Sequence, residues 1–314
     1  MCERKEEESL LARTPTDSQS DGGWYGWLVV AASFLCICVL DGVGYSYGIL
    51  LPPLLQELGE GRAMLSMAGS LQVGVYGLSS PLVSRLVSRW GERCCCVLGS
   101  LLSCTGLLLA SMATGMLTLV LSYSLLTGLG FGLMYLPSVV IPSKYFTRRR
   151  SLATGVVLCA AGVGTTLLAP LSHTLLTCWG WRAALRGLAL TCAACVMCGA
   201  VMVTPSTSTR PSTTTSSSVM EMDSSALSVF LVLGLADMLS TLSLYMPFTH
   251  LPSAVVARGL SSSQAAVLIS SVGVSSSLGR LAAGWVSDQD WLHPQATLAL
   301  AITAATPCIF LLAW

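Results

Sequence analysis

Residues 27–51 read WLVVAASFLCICVLDGVGYSYGILL, a run whose one charged side chain is Asp41. A helix needs about 20 mostly apolar residues to cross the hydrocarbon core of a bilayer. Inside that core the backbone must satisfy its own hydrogen bonds, as a helix does. The same ruler, carried outward from this stretch, predicts eight further spans, at 62–83, 94–114, 117–141, 152–177, 183–203, 226–247, 264–286 and 295–314. Small residues recur within them, as at Gly128, Gly130 and Gly132 or Gly155, Gly162 and Gly164. Helices that pack closely in lipid, with no hydrophobic drive between them, use this composition. Alternating ten-residue strands are absent from the sequence, which argues against a barrel. The expectation is an all-α membrane protein of about nine transmembrane helices.

The composition agrees. Of 314 residues, 53% are hydrophobic and 10% charged, against about 25% charged in a soluble domain, and mean hydropathy is +0.72. Sixteen Lys and Arg against 15 Asp and Glu leave a formal charge of +1. That is no basic surface for nucleic acid, so the expected partners are a small-molecule substrate and the lipid bilayer. Thirteen cysteines fall mostly in apolar runs, where Cys behaves as a small buried hydrophobe. The triplet Cys94–Cys96 borders a basic loop, and its readings are packing or S-acylation. The sequence holds no Asn and therefore no N-glycosylation site.

Residues 1–21 are polar and charged, with no apolar core before a cleavage site, and read as a cytosolic tail. Residues 204–225 are almost entirely Ser and Thr with Pro205 and Pro211, too polar to fold, and read as a linker. The expected organisation is a tail (1–21), a six-helix bundle (22–203), a cytosolic linker (204–225) and an incomplete three-helix bundle (226–314). Six spans, a hydrophilic break and further spans are the layout of a transporter built from two halves. With the N-terminus inside, Arg4, Lys5, Arg13, Arg85, Arg89, Arg93, Lys144, Arg148, Arg149, Arg150 and Arg210 lie on the cytosolic side. Only Arg62, Arg182, Arg186 and Arg258 lie opposite, an excess that supports this orientation. Trp24, Tyr25 and Trp27 then stand where an aromatic belt anchors the first span. An odd number of spans puts the C-terminus outside and reads as a shortened second half.

Specific motifs point further. Asp21-Gly-Gly-Trp24-Tyr-Gly-Trp27 is similar to the DGGWGW opening of the monocarboxylate transporter family (solute carrier family 16), with Tyr25 inserted. Lys144-Tyr-Phe-Thr-Arg-Arg-Arg150, continued by Ala153, Gly155, Gly162 and Gly164, resembles that family's signature before span five. Gly180-Trp-Arg182, Tyr245-Met-Pro-Phe-Thr-His-Leu251 and Gly279-Arg-Leu-Ala-Ala-Gly-Trp-Val-Ser-Asp288 are similar to its spans six to eight. The resemblance runs from about Asp21 to Trp314. It implies the major facilitator fold, twelve helices in two bundles around a central cavity, with this chain lacking the last three. It also implies carriage of small organic anions or amphipathic metabolites, with or without a proton, at the plasma membrane.

Ionisable side chains inside spans cost a few kcal/mol each and are functional candidates by default. Three lie near mid-span: Asp41, Asp237 and Arg280. Asp41 and Asp237 occupy the first helix of each half, and either could bind substrate or take a proton. Arg280 stands where the resemblance implies the substrate-anion arginine, and a guanidinium holds a carboxylate bidentately. A structural Arg280–Asp237 ion pair is the competing reading. The resemblance also implies departures, since Tyr45 replaces a span-one lysine and Ser276 an aspartate one turn before Arg280. The ion relay of the lactate carriers is therefore missing. Tyr45 reads as a substrate-stacking residue or a packing tyrosine.

On the cytosolic loops, Arg89, Arg93, Lys144, Arg148, Arg149 and Arg150 read as a conformational latch or as topology determinants. Glu6-Glu-Glu-Ser-Leu10-Leu11 resembles an acidic dileucine sorting signal and implies endosomal cycling. Gly44-Tyr-Ser-Tyr-Gly48 fits a hydrolase pattern but sits in a membrane helix without the required elbow, so no enzyme is expected. His173, His250 and His293 lack metal-ligand spacing, and no phosphate loop appears, so neither metal nor cofactor is expected. The alternative to a carrier is a shortened, non-transporting isoform that pairs with a full-length relative or a single-span ancillary membrane protein.

Overall fold

A computed structural model describes residues 23–146, 148–203 and 262–288, with Val232 and Leu235. Every regular element among these residues is helical. In chain order they are α1 (Gly23–Leu58), α2 (Arg62–Leu78), α3 (Ser80–Trp90), α4 (Glu92–Ala110), α5 (Met116–Tyr145), α6 (Arg150–Val201) and α7 (Ser262–Ser287). Four of them, α1, α4, α5 and α6, are long and apolar enough to cross a membrane. The tail residues Glu6, Leu10 and Leu11, the linker 204–225, Asp237, nearly all of the predicted span 226–247 and the span 295–314 lie outside the described residues.

The hydrocarbon ruler locates helices well and their ends less well. α1 runs for 36 residues, about 54 Å at 1.5 Å per residue, so it overshoots a core of about 30 Å at both ends. The span predicted at 62–83 continues as one bent pass, α2 and α3, through Trp90. The spans predicted at 152–177 and 183–203 form a single continuous assignment, α6, broken where Gly180 adopts φ 80° and ψ 172°. A side chain there would strain the left-handed backbone, so glycine is what turns the chain back. In α5, residues Val120–Leu126 widen into a π-helical turn that brings Tyr123 against Tyr47, ring centroids 4.7 Å apart and nearly parallel. π turns of this kind redirect side chains within an otherwise regular helix.

Small residues set the close approaches. A Cβ at Gly42 of α1 would lie 2.7 Å from the Gly164 carbonyl oxygen of α6, and one at Gly164 only 3.0 Å from Cys38 Cα. α4 and α5 meet in the same way, at Gly99 against the Gly130 carbonyl. α7 lies along the first part of α6, where a Cβ at Gly155 would stand 3.1 Å from Gly284 Cα. Such contacts gain van der Waals packing where lipid offers no hydrophobic drive. The cysteines read as packing residues are free: Cys36, Cys38, Cys95, Cys96, Cys192 and Cys195 are buried, while Cys94 is exposed. Cys36 and Cys96 bring their sulfurs to 3.9 Å across the α1–α4 contact.

Candidate functional site

The α6–α7 seam carries the first candidate. The helices run antiparallel, so successive turns of α7 meet successively earlier turns of α6. Ser277 Oγ donates to the Cys159 carbonyl at 3.0 Å. One turn on, Arg280 donates from Nη1 to the Leu158 carbonyl at 2.9 Å. Gly284 follows against Gly155, and Asp288 ends the register. Arg280 is half-buried and makes no ion pair among the described residues. One of its five donors is engaged, which leaves the fork geometry open to a carboxylate.

Asp41 lies across from this seam on α1. It too is half-buried, and among the described residues it makes no hydrogen bond or ion pair. The Arg280 charge acts on it electrostatically. Asp41, Gly44, Tyr45 and Gly48 follow the i, i+3, i+4, i+7 spacing of one helix face. A Cβ at Gly44 or Gly48 would meet nothing within 4 Å, and Tyr45 is 46% exposed. The other side of α1 is closed, with Gly42, Val43, Ser46, Tyr47 and Leu50 buried. Ser46, the centre of the apparent hydrolase pattern, gives its hydroxyl to the Gly42 carbonyl of the preceding turn at 2.6 Å. Its Oγ is a helix-bound packing group. The structure thus brings Asp41, Tyr45 and Arg280 toward one open stripe, while Asp237 lies outside the described residues. No group of His, Cys, Asp or Glu among the described residues is arranged to hold a metal ion.

Both ends of the helices are tied. At the face where α1 begins, Asp288 accepts from the backbone N–H groups of Ser151 and Leu152 at 2.8 and 2.7 Å. These are orphan donors of the first turn of α6, and a carboxylate on them gains from the helix dipole as well. On the same face the two N-terminal signatures meet. A Cβ at Gly26 would stand 3.3 Å from the Phe146 ring, and Trp27 packs edge-on to Phe146 at 5.1 Å. Tyr25 donates to the Val201 carbonyl, the last of α6, at 2.7 Å, and Tyr145 to the Val203 carbonyl just beyond it. Trp24 and Trp27 keep the exposure of a belt, whereas Tyr25 faces inward to this contact.

Lys144 pairs with Glu92 at the start of α4, so its first partner lies within the same group of helices. Glu92 is nearly buried, its side chain 6% exposed. Arg89, Arg93, Arg148, Arg149 and Arg150 are exposed on this face. At the opposite face Glu57 accepts from the Trp181 indole N–H and pairs with Arg182. The Arg182 guanidinium also sits 4.5 Å over the Trp181 ring. Glu57, Glu92 and Asp288 escaped attention in the sequence because each lies at a span edge, where acidic residues are ordinary. For Asp288 the signal was its place at the close of the span-eight motif.

Apolar helices long enough to cross a membrane and joined through glycine contacts define a helical membrane protein. Residues 33–314 match the pattern of the Major Facilitator Superfamily, and the chain belongs to that superfamily. It is 32% identical over 274 residues to monocarboxylate transporter 11 of Mus musculus, covering 87% of this chain and 61% of the relative. It is likewise 32% identical over 272 residues to monocarboxylate transporter 13 of Rattus norvegicus, 85% of this chain and 62% of the relative. Against monocarboxylate transporter 12 of Homo sapiens it is 30% identical over 318 residues, 91% of this chain and 61% of the relative. The resemblance read from the motifs is borne out. The chain spans about three-fifths of the length of these relatives. All are transporters by name, and the reading of a non-transporting isoform finds no support among them.

Proposed function

We propose that this protein carries a small organic metabolite across the plasma membrane by alternating access, with its N-terminus in the cytosol and the substrate carboxylate held by Arg280. The observation that carries the reading is Arg280 itself: a guanidinium within an apolar helix, spending one donor on a backbone carbonyl and making no ion pair among the described residues. A charge kept at that cost is retained for function. Asp41 and Tyr45 stand on the facing wall, and Asp237, first helix of the second half, is the matching position by pseudo-symmetry. The excess of basic residues on the α1 N-terminal face supports that face as cytosolic.

Alternating access needs ends that close and release. The Asp288 carboxylate on the first turn of α6 closes the cytosolic end of the α6–α7 seam, and inward opening breaks those two bonds. Lys144 and the exposed arginines flank that closure. Glu6, Leu10 and Leu11 give the tail a sorting signal for endosomal cycling.

Uptake of labelled monocarboxylates and amphipathic metabolites in cells expressing the chain, at two external pH values, tests the reading. Arg280→Ala lowers uptake at least tenfold at equal surface level, and Arg280→Lys restores only part of it, because an ammonium lacks the bidentate fork. Uptake indifferent to Arg280→Ala, or absent from protein that reaches the surface, overturns the proposal.

A further inference from the structure

We infer that the π turn of α5 is a hinge between two helical registers and that the Tyr123 hydroxyl biases it, a reading that rests on the alternating access proposed above. Val120–Leu126 form the turn, and the groups around it fit its extra width. The Thr127 N–H donates to the Ser122 carbonyl five residues back, and the Thr127 hydroxyl reaches the same oxygen at 3.1 Å. Gly106 of α4 makes the room, since a Cβ there would stand 2.5 Å from Thr127 Oγ1 and 3.0 Å from the Ser122 oxygen.

The neighbouring hydroxyls are satisfied. Ser122 donates to the Thr118 carbonyl at 2.6 Å, Ser124 to the Ala68 carbonyl of α2 at 2.7 Å, and Tyr47 to the Leu65 carbonyl of α2 at 2.7 Å. The Tyr47 ring fills the space over Gly69, where a Cβ would lie 2.6 Å from it. α1 and α5 thus both grip the same stretch of α2. Tyr123 is the exception. It is 1% exposed and stacked on Tyr47, yet its hydroxyl has no partner among the described residues. A buried hydroxyl left unpaired is costly, and a native structure that keeps one does so for a reason. A second register supplies it. Each residue of register turns a helix by about 100° at 3.6 residues per turn. Drawing the extra residue out of the turn therefore swings Tyr123 off the Tyr47 ring and brings its hydroxyl to an acceptor. The turn lies near the start of α5, in the half of the helices away from the Asp288 closure. That half draws together when the cytosolic end opens.

Tyr123→Phe removes the unpaired oxygen and keeps the ring stack. Two readouts are taken on the full chain. One is the thermal midpoint in detergent. The other is labelling of Cys159, half-buried in the α6–α7 seam, by a membrane-impermeant maleimide on the cytosolic side of inside-out vesicles. The expected result is a higher midpoint together with labelling at least fivefold slower than in the parent, because the register seen here, closed at the Asp288 end, is the one relieved. Deletion of Leu121, whose side chain is 51% exposed, draws the extra residue out of the turn and speeds labelling at least fivefold. Tyr123→Phe decides alone where the deletion fails to fold. A midpoint that is unchanged or lower in Tyr123→Phe, or labelling slowed by less than fivefold, overturns the hinge and leaves a fixed π turn. Uptake by the parent, measured in the same cells, tests the carrier separately, and its absence from surface protein overturns that reading whatever the labelling shows.

Discussion

Replacing Asp288 with alanine removes two hydrogen bonds from a charged acceptor to the first turn of α6, at 2.8 and 2.7 Å. Hydrogen bonds to charged groups contribute about 1.5–3 kcal/mol each. Asp288 is half-buried at a membrane edge, where water and salt screen part of that, and water replaces part of the lost bonding once the seam opens. A net effect of about 2 kcal/mol on the closed state follows, or about thirtyfold in the closed-to-open ratio at 1.4 kcal/mol per factor of ten. The reporter is Cys159, half-buried beside Ser277 within the same seam. A membrane-impermeant maleimide is added to the cytosolic side of inside-out vesicles, and labelling at position 159 is read by peptide mass spectrometry, so the packing cysteines stay in place. Asp288→Ala speeds labelling by about thirtyfold, and Asp288→Glu restores most of the protection. A labelling rate within twofold of the parent for Asp288→Ala would refute the assignment of this carboxylate as the cytosolic closure.

Two further outcomes follow from the packing. A Cβ at Gly284 would stand 2.8 Å from the Ser151 carbonyl oxygen and 3.1 Å from Gly155 Cα, both backbone, so Gly284→Leu forces α7 off α6 and costs about 1–3 kcal/mol; the thermal midpoint of the detergent-solubilised protein falls, whereas Gly61→Ala, whose Cβ meets nothing within 4 Å, leaves it in place. Lys144→Met strands the nearly buried Glu92 carboxylate and costs about 3 kcal/mol, and the pair Lys144→Met with Glu92→Gln recovers most of that loss in a double-mutant cycle on the same midpoint.

Much of the architecture was legible because hydrocarbon imposes a crude and strict rule. Any stretch that crosses must be apolar, about 20 residues long and helical, so the stretches at 27–51, 94–114, 117–141 and 264–286 all fall on helices. The rule says nothing about what happens outside the core. Hence α1 extends to Leu58, the second pass bends at Ser79 and reaches Trp90, and the turn between the fifth and sixth passes shrinks to one glycine. The candidate site was legible in part for the same reason: a charge inside a span is conspicuous, and Asp41 and Arg280 stood out on cost alone.

What the sequence determined by itself is therefore the class of molecule, its helical membrane character, its likeness to the monocarboxylate transporters and the three mid-span charges Asp41, Asp237 and Arg280. Tertiary structure decided which groups meet. Asp288 reaches Ser151 across 137 positions of chain, and Glu57 reaches Arg182 across 125. It also decided that the glycines at 155 and 284 face one another, and that Asp41, Gly44, Tyr45 and Gly48 form the open side of α1 rather than the packed one. Periodicity assigns residues to a face of a helix, but only the packing of the other helices determines which face is covered, because close contact between distant segments depends on shape in three dimensions and leaves no local trace in composition.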